Sequence, residues 1–257
     1  MNPTPVSWLL LCVLALCVGS FLNVMIYRLP LMLLKPQPGL SLWQPRSHCP
    51  CCKKPVRPAD AVPLLSWLLL RGRCRCCHQP VSWRYPAVEA ASAAITLLLA
   101  AWLPWNAALL AALLLSGFLL TLTLIDLRCQ LLPDALTLPL LWLGLLLHSC
   151  QLLPFGHPSE AILGAAGGYL LFRLLACAWS LFRHREALGG GDAKLVAALG
   201  GWLGWQALPL LLLIASGVGL LAALLARLCW GRPLHLPLPF GPCLALAGEA
   251  LLLGMLT

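Results

Sequence analysis

The chain has 257 residues, is 61% hydrophobic and only 10% charged, and has a mean hydropathy of +0.89. Those values exclude a soluble domain of this size and place the chain in the membrane class. Its formal charge of +9 comes from 17 Lys and Arg against eight acids. Such a charge could suit nucleic acid or anionic lipid, but the basic residues form no stripe interleaved with aromatics, and a basic loop that orients the protein in the bilayer is the stronger reading.

A spanning helix needs about 20 mostly apolar residues. Eight such segments are predicted, near 6–28, 87–103, 106–125, 135–153, 160–182, 191–205, 207–229 and 238–256. The sixth is short for a full crossing, and only Pro104, Trp105 and Asn106 separate the second from the third. Residues 1–7 hold no Lys or Arg, and Arg28 follows the first apolar core. That order is the reverse of a signal peptide and predicts a retained helix with its N-terminus outside.

Residues 29–85 are the one sizeable polar stretch, rich in Pro and Cys. Cys49 and Cys52 form one C-x-x-C pair, and Cys74 and Cys77 form a second, with 21 residues between the pairs. Two such knuckles close a tetrahedral thiolate site, and a structural zinc replaces the core that so short a segment lacks. Disulfides are the alternative, disfavoured where thiols stay reduced. Cys51 and Cys76 are surplus, and His48 and His78 adjoin the clusters as substitute ligands or exposed neighbours. The other cysteines, scattered singly and mostly within apolar segments, read as small apolar filler.

Ten of the 17 basic residues lie between Arg28 and Arg84, against the single acid Asp60. Arg128, Arg183, Arg185, Lys194, Arg227 and Arg232 fall at gaps that eight alternating helices place on the same side. The positive-inside rule makes that side cytoplasmic.

Acids at the rim of such a slab are costly without a role. Asp126 closes the third apolar segment, and its bland reading is a water-facing carboxylate screened by Arg128. Asp192 opens the sixth segment behind Gly189, Gly190 and Gly191, with Lys194 two residues on. A glycine turn lets a carboxylate and a peptide backbone approach closely; helix packing by the glycines leaves the aspartate unexplained. Both acids fall on the cytoplasmic side, where two carboxyls sharing a proton perform aspartic-protease chemistry. The N-terminal end of the sixth segment favours an ionised Asp192, which makes Asp126 the acid. Asp134, Glu89 and Glu160 read as first-turn acids of helices, while Glu249, deep in the last segment, needs a polar partner or a proton.

Several motifs occur in order: Gly19-Ser-Phe-Leu-Asn-Val24 with Tyr27-Arg-Leu-Pro30, the two cysteine pairs with Arg71-Gly-Arg-Cys74, Tyr85-Pro-x-x-Glu89, Asp126 with Leu132-Pro-Asp134, Gly189-x-Gly-Asp192-x-Lys194, and Pro239-Phe-Gly-Pro242. In these the chain resembles the type IV prepilin peptidases, membrane aspartic proteases of the Gly-x-Gly-Asp class. The resemblance implies that Asp126 and Asp192 are catalytic, with Gly189, Gly191 and Lys194 supporting the active-site turn. It implies cleavage of the leader of type IV prepilins or type II secretion pseudopilins, then methylation of the new N-terminal amine from S-adenosylmethionine. No Rossmann-type fingerprint marks a methyl-donor site, so no residue is assigned to it.

The expected protein is an all-α polytopic protein of the bacterial inner membrane. About eight transmembrane helices surround a small cytoplasmic Cys-rich zinc-binding insert. Residues 1–28 form the first helix, 29–85 the zinc-binding domain and 86–257 a peptidase domain of about seven helices. The competing classes are a leader peptidase without methyltransferase activity, an ion-coupled transporter and a zinc-stabilised secretion scaffold. A transporter predicts acids near the bilayer midplane in matched halves, and a scaffold leaves the paired aspartates idle.

Overall fold

The computed structural model describes residues 3–36, 39–183, 189–231 and 238–256. Arg185 and Arg232, two of the expected basic flanks, lie outside the described residues, as does the side chain of Arg183. The described residues are mostly helical with no strand, and the chain divides into two compact units, Met1–Trp105 and Asn106–Thr257.

In the first unit, α1 (Pro5–Leu34) packs against α3 (Arg84–Trp102), and the polar insert between them carries the short helix α2 (Leu65–Leu69). Thr4 caps α1 by accepting from the Ser7 amide at 3.3 Å, and Pro5 opens the helix where its missing N–H costs nothing. The α1–α3 seam uses small residues and polar ties, the usual means of joining helices in lipid. Ser92 Oγ donates to the Ala15 carbonyl at 3.0 Å, and Asn23 Nδ2 donates to the Tyr85 carbonyl at 3.0 Å.

Helix α1 runs six residues past the end expected at Arg28. The reason is visible at that residue. The Arg28 side chain is buried and donates to the carbonyls of Ser41, Leu42 and Pro45 at 2.8, 3.2 and 2.6 Å. Its charge is solvated by backbone, so the helix has no need to stop for it.

In the second unit, α4 (Ala107–Cys129), α5 (Asp134–Ser149), α6 (Pro158–Arg183), α7 (Gly190–Leu203), α8 (Leu208–Trp230) and α9 (Gly241–Leu256) follow in order. Asn106 caps α4 through the Ala108 amide at 2.9 Å, and Gln130 ends it in the left-handed region at φ 50°. Helix α7 is the buried centre. It lies against α6 where Gly164 meets Gly200, so closely that a Cβ on either would collide with the other's carbonyl. Against α5 it places the fully buried Trp202, whose Nε1 donates to the Leu140 carbonyl at 2.8 Å. The buried His148 ring answers from α5, with Nε2 2.9 Å from the Trp202 carbonyl.

Helices occupy all eight of the expected apolar segments. Among the described residues, five stretches are long and apolar enough to cross a membrane: α1, α3, α4, Pro158–Ala178 and Trp205–Cys229. Helices α5, α7 and α9 have 16, 14 and 16 residues, which falls short of a 30 Å hydrocarbon layer at about 1.5 Å per residue.

Candidate functional site

Two clusters of chemically capable side chains stand out, one in each unit. In the insert, the sulfurs of Cys49, Cys52, Cys74 and Cys77 all lie within 4.8 Å of one another. Two matching knuckles bring them there. Cys49 N–H donates to the Lys54 carbonyl and Lys53 N–H to the Cys49 carbonyl, and Cys74, Gln79 and His78 repeat the pattern. Lys53 and His78 take left-handed backbone at φ 59° and 54°, which closes each turn.

The backbone amides of Cys52 and Cys51 hold the Cys49 thiol down at about 6, and the amides of Cys77 and Cys76 lower Cys74 in the same way. At Cys77 the Gln79 amide pulls down, but desolvation and the thiols of Cys49, Cys74 and Cys52 push it up to about 12. Like-charged sulfurs forced together in this way call for a cation. A tetrahedral zinc with Zn–S near 2.3 Å sets sulfurs about 3.8 Å apart, and Cys49 Sγ lies 3.7 Å from Cys77 Sγ. All four cysteines are free thiols, so this cluster can hold a metal ion. Cys51, Cys76, His48 and His78 are exposed and stand outside it.

In the second unit, Asp126 lies in the last turn of α4 and Asp192 in the first turn of α7. Asp126 is only 5% exposed, so it is not the water-facing carboxylate of the bland reading. Arg128 makes no ion pair with it among the described residues. Its Oδ2 instead accepts from the backbone N–H of Gly241 at 2.9 Å, at the opening of α9. A Cβ at 241 would sit 2.7 Å from Asp126 Oδ2, so any residue but glycine there displaces this carboxyl.

Asp192 is half-buried and takes a backbone hydrogen bond from Gly189, the residue that caps its helix. Leu132, from the α4–α5 connection, borders both neighbourhoods: it is in the path of a Cβ on Gly191, next to Asp192, and of one on Gly241 beside Asp126. Two acids from separate helices therefore share Leu132 as a common neighbour of their surroundings.

The glycines before Asp192 serve space more than bending. Gly189 has φ −66° and ψ 136°, a conformation open to any residue, whereas a Cβ on Gly191 would strike Leu132 at 2.9 Å. Lys194 does not reach either acid. Its Nζ grips both oxygens of Asp134 at 2.6 and 2.7 Å, tying the first turn of α7 to the first turn of α5.

Three residues acquire partners that sequence reasoning did not supply. Gly241 belongs to the motif Pro239-Phe-Gly-Pro242, where the residue letters give no hint that the functional atom is a backbone N–H. Glu249 Oε1 lies 2.5 Å from Ser116 Oγ on α4, and its Oε2 is buried without a partner. Glu89 sits in the second turn of α3, not its first, and its Oε2 accepts from the Leu64 amide at 2.9 Å.

The comparisons with known proteins identify the family. The family model described as Bacterial Peptidase A24 N-terminal domain matches residues 13–103, and that of the Type IV leader peptidase family matches residues 113–224. The chain is 48% identical to a prepilin leader peptidase/N-methyltransferase of Dickeya chrysanthemi, over 96% of this chain and 93% of that one. It is 45% identical to the Aeromonas hydrophila protein of the same name, over 93% and 88% of the two chains, and 39% identical to that of Neisseria gonorrhoeae, over 95% and 90%. No solved structure matches the chain.

Proposed function

This chain belongs to the type IV leader peptidase family, and on that premise we propose that it cleaves the leader of type IV prepilins or type II secretion pseudopilins and methylates the amine so exposed. The observation that carries the cleavage reading is that the surroundings of Asp126 and Asp192 share Leu132 as a common neighbour. Neither acid has a basic partner among the described residues. Two adjacent carboxyls that cannot both ionise share one proton, and the pair titrates as a unit.

In the proposed reaction the ionised aspartate takes a proton from water as the water oxygen attacks the scissile carbonyl carbon. The protonated aspartate donates to the carbonyl oxygen, and the C–N bond breaks as the leaving amine takes up a proton. No covalent enzyme intermediate forms. Gly241 occupies Oδ2 of Asp126, so Oδ1 is the oxygen left to face water or substrate. Gly189, Gly191 and Lys194 support this turn, the last through Asp134 and not by contact with the dyad.

The chain reads as a multi-pass protein of the bacterial inner membrane with about eight helices in the membrane, three of them too short for a straight full crossing. The N-terminus is periplasmic, and residues 29–85 form a cytoplasmic zinc-binding domain ahead of the peptidase domain at 86–257. Cys49, Cys52, Cys74 and Cys77 are the proposed ligands of one structural zinc, which shapes the insert and takes no part in hydrolysis. S-adenosylmethionine is the proposed donor, supplying when bound a methyl group activated on a sulfonium. For that transfer the chain has only to align the substrate amine in its neutral form.

The test is incubation of the purified protein with a prepilin, with and without S-adenosylmethionine, read by mass spectrometry. Loss of the leader and gain of one methyl are expected. Asp126→Asn or Asp192→Asn abolishes the first; a variant of either that still cleaves overturns the dyad. Asp192→Asn is expected to methylate a mature pilin supplied with its amine free.

A further inference from the structure

The insert carries an apolar face that nothing in its own unit covers. Leu65, Leu68 and Leu69 project from α2 at the i, i+3, i+4 spacing of one helical face and are 59%, 62% and 82% exposed. A folded knob holds them outward. The Trp67 ring packs over Gly72 and donates from Nε1 to the Val81 carbonyl at 3.2 Å, and the Gly72 amide closes back on the Trp67 carbonyl at 2.8 Å. Arg71 and Arg73 follow immediately, both exposed. Among the described residues neither pairs with a carboxylate, and the insert's one acid, Asp60, is taken by Arg75. Leu69, Leu70, Arg71, Arg73, Arg75 and His78 line a cavity of about 450 Å³.

The depth of this face is set by a hydrogen bond. The Leu64 amide, at the start of α2, donates to Glu89 Oε2. Glu89 is five residues into α3, about 7.5 Å along a helix that is long and apolar enough to cross the membrane. Trp83 and Tyr85 stand exposed where α3 begins, as aromatic residues do at a membrane–water boundary. Helix α2 is therefore pinned at the level of the headgroups, within the depth of about 5–10 Å at which interfacial helices bury an apolar face.

We propose that residues 64–73 are a membrane-surface anchor: the Leu65, Leu68 and Leu69 face enters the bilayer on the insert's side, and Arg71 and Arg73 bind the phosphates of anionic lipids. The occupant is the lipid surface because the start of α2 is tied through Glu89 to α3, a helix of the same unit long and apolar enough to cross the membrane. The charges flanking the face are complementary to anionic headgroups and repel a basic leader peptide. The anchor holds the zinc-binding knuckles close to the membrane plane.

The test is hydrogen exchange by mass spectrometry on the full-length, zinc-loaded protein. It is placed in nanodiscs of phosphatidylcholine alone or with phosphatidylglycerol. The amides of residues 65–73 are expected to exchange roughly tenfold more slowly in the anionic discs, the effect of two arginines near a charged surface. Peptides around Cys49 and Cys52 serve as internal reference. Arg71→Glu with Arg73→Glu is expected to abolish the difference, with zinc content unchanged. Replacement of Leu65, Leu68 and Leu69 by Ser is expected to raise exchange in both lipids.

Equal exchange of the unsubstituted protein in the two lipids overturns the proposal, and this readout needs no variant to fold. Inorganic phosphate slowing exchange equally in phosphatidylcholine discs reassigns the arginines to a free anion and also overturns it. So does protection that appears only when a prepilin is added, since the face then belongs to the substrate.

Discussion

The backbone N–H of Gly241 points at Oδ2 of Asp126 from 2.9 Å, across 115 residues of sequence. It fixes the rotation of a buried carboxyl. A methyl group at 241 would sit 2.7 Å from that oxygen and must displace the carboxyl. Gly241→Ala is therefore expected to lower kcat for leader cleavage on the order of a hundredfold, the cost of misplacing a reacting group by about 1 Å. KM and the methylation of mature pilin are expected to stay near those of the parent. A fall in methylation to match would mean that α9 had simply failed to pack.

The ion pair of Lys194 with Asp134 is a different matter. Both side chains are substantially exposed, at 34% and 56%, so the pair is worth only about 0.5–1 kcal/mol. Asp134→Asn is expected to lower cleavage less than about tenfold, by loosening the first turn of α7. Steady-state cleavage assays beside Asp126→Asn and Asp192→Asn decide this, and equal loss in all three would show that Asp134 belongs to the chemistry.

Helix α9 is held to α4 a second time, by Glu249. The Ser116 hydroxyl has one hydrogen but two close acceptors, the Ala112 carbonyl at 2.7 Å and Glu249 Oε1 at 2.5 Å. One of these contacts needs a proton on Glu249, as suits a carboxyl in an apolar slab. The expected signature is a carboxylic-acid carbonyl band in the infrared that Glu249→Gln removes. Glu249→Gln keeps a donor and is expected to fold normally, while Glu249→Ala leaves a void and lowers stability by about 2–3 kcal/mol.

Metal content checks the insert. Removing Cys49, Cys52, Cys74 and Cys77 together is expected to leave no zinc in the purified protein. Cys51→Ser and Cys76→Ser, at exposed positions, are expected to retain about one zinc per chain. Loss of zinc in either of the latter would mean the knuckles use another register.

The pair of Asp60 with Arg75 gives the insert a pH dependence of known sign. Arg75 donates to both Asp60 oxygens at 2.7–3.1 Å and holds the carboxyl below its ordinary 3.8. A depressed folded value gives stability that is present above the unfolded pKa and disappears as pH falls through the folded one. Asp60→Asn is expected to unfold more easily than the parent at neutral pH, with the two converging in acid. Zinc loss at low pH affects both proteins and drops out of the difference. A gap that widens on acidification would reverse the sign.

The legible parts of this protein were those written in side chains. Asp126 and Asp192 announced themselves as acids at the edges of apolar helices, and the two C-x-x-C pairs carried their own geometry. The structure gathers the four cysteines, and it gives the surroundings of Asp126 and Asp192 a common neighbour in Leu132. What sequence reasoning missed was written in backbone atoms and distant contacts. The Gly241 amide has no residue letter of its own, and Ser116 lies 133 positions from Glu249. Arg28 misled in the other direction: a charge that looks like the end of a span is absorbed by three carbonyls of a loop that follows it.

Gly164 and Gly200 hold α6 and α7 in backbone contact, and Trp202 with His148 holds α7 to α5, so these three helices can travel only as one body. Gly241 and Glu249 hold α9 to α4 as a second body. Asp192 rides on the first and Asp126 on the second. The two sets are not separate, since a Cβ on Gly248 of α9 would meet the Leu199 side chain of α7 at 2.6 Å. A motion that parts the two carboxyls to admit a peptide, and leaves both sets of ties intact, has to slide α9 over α7 as well as bend the connection at residues 130–133, where Leu132 neighbours both Gly191 and Gly241.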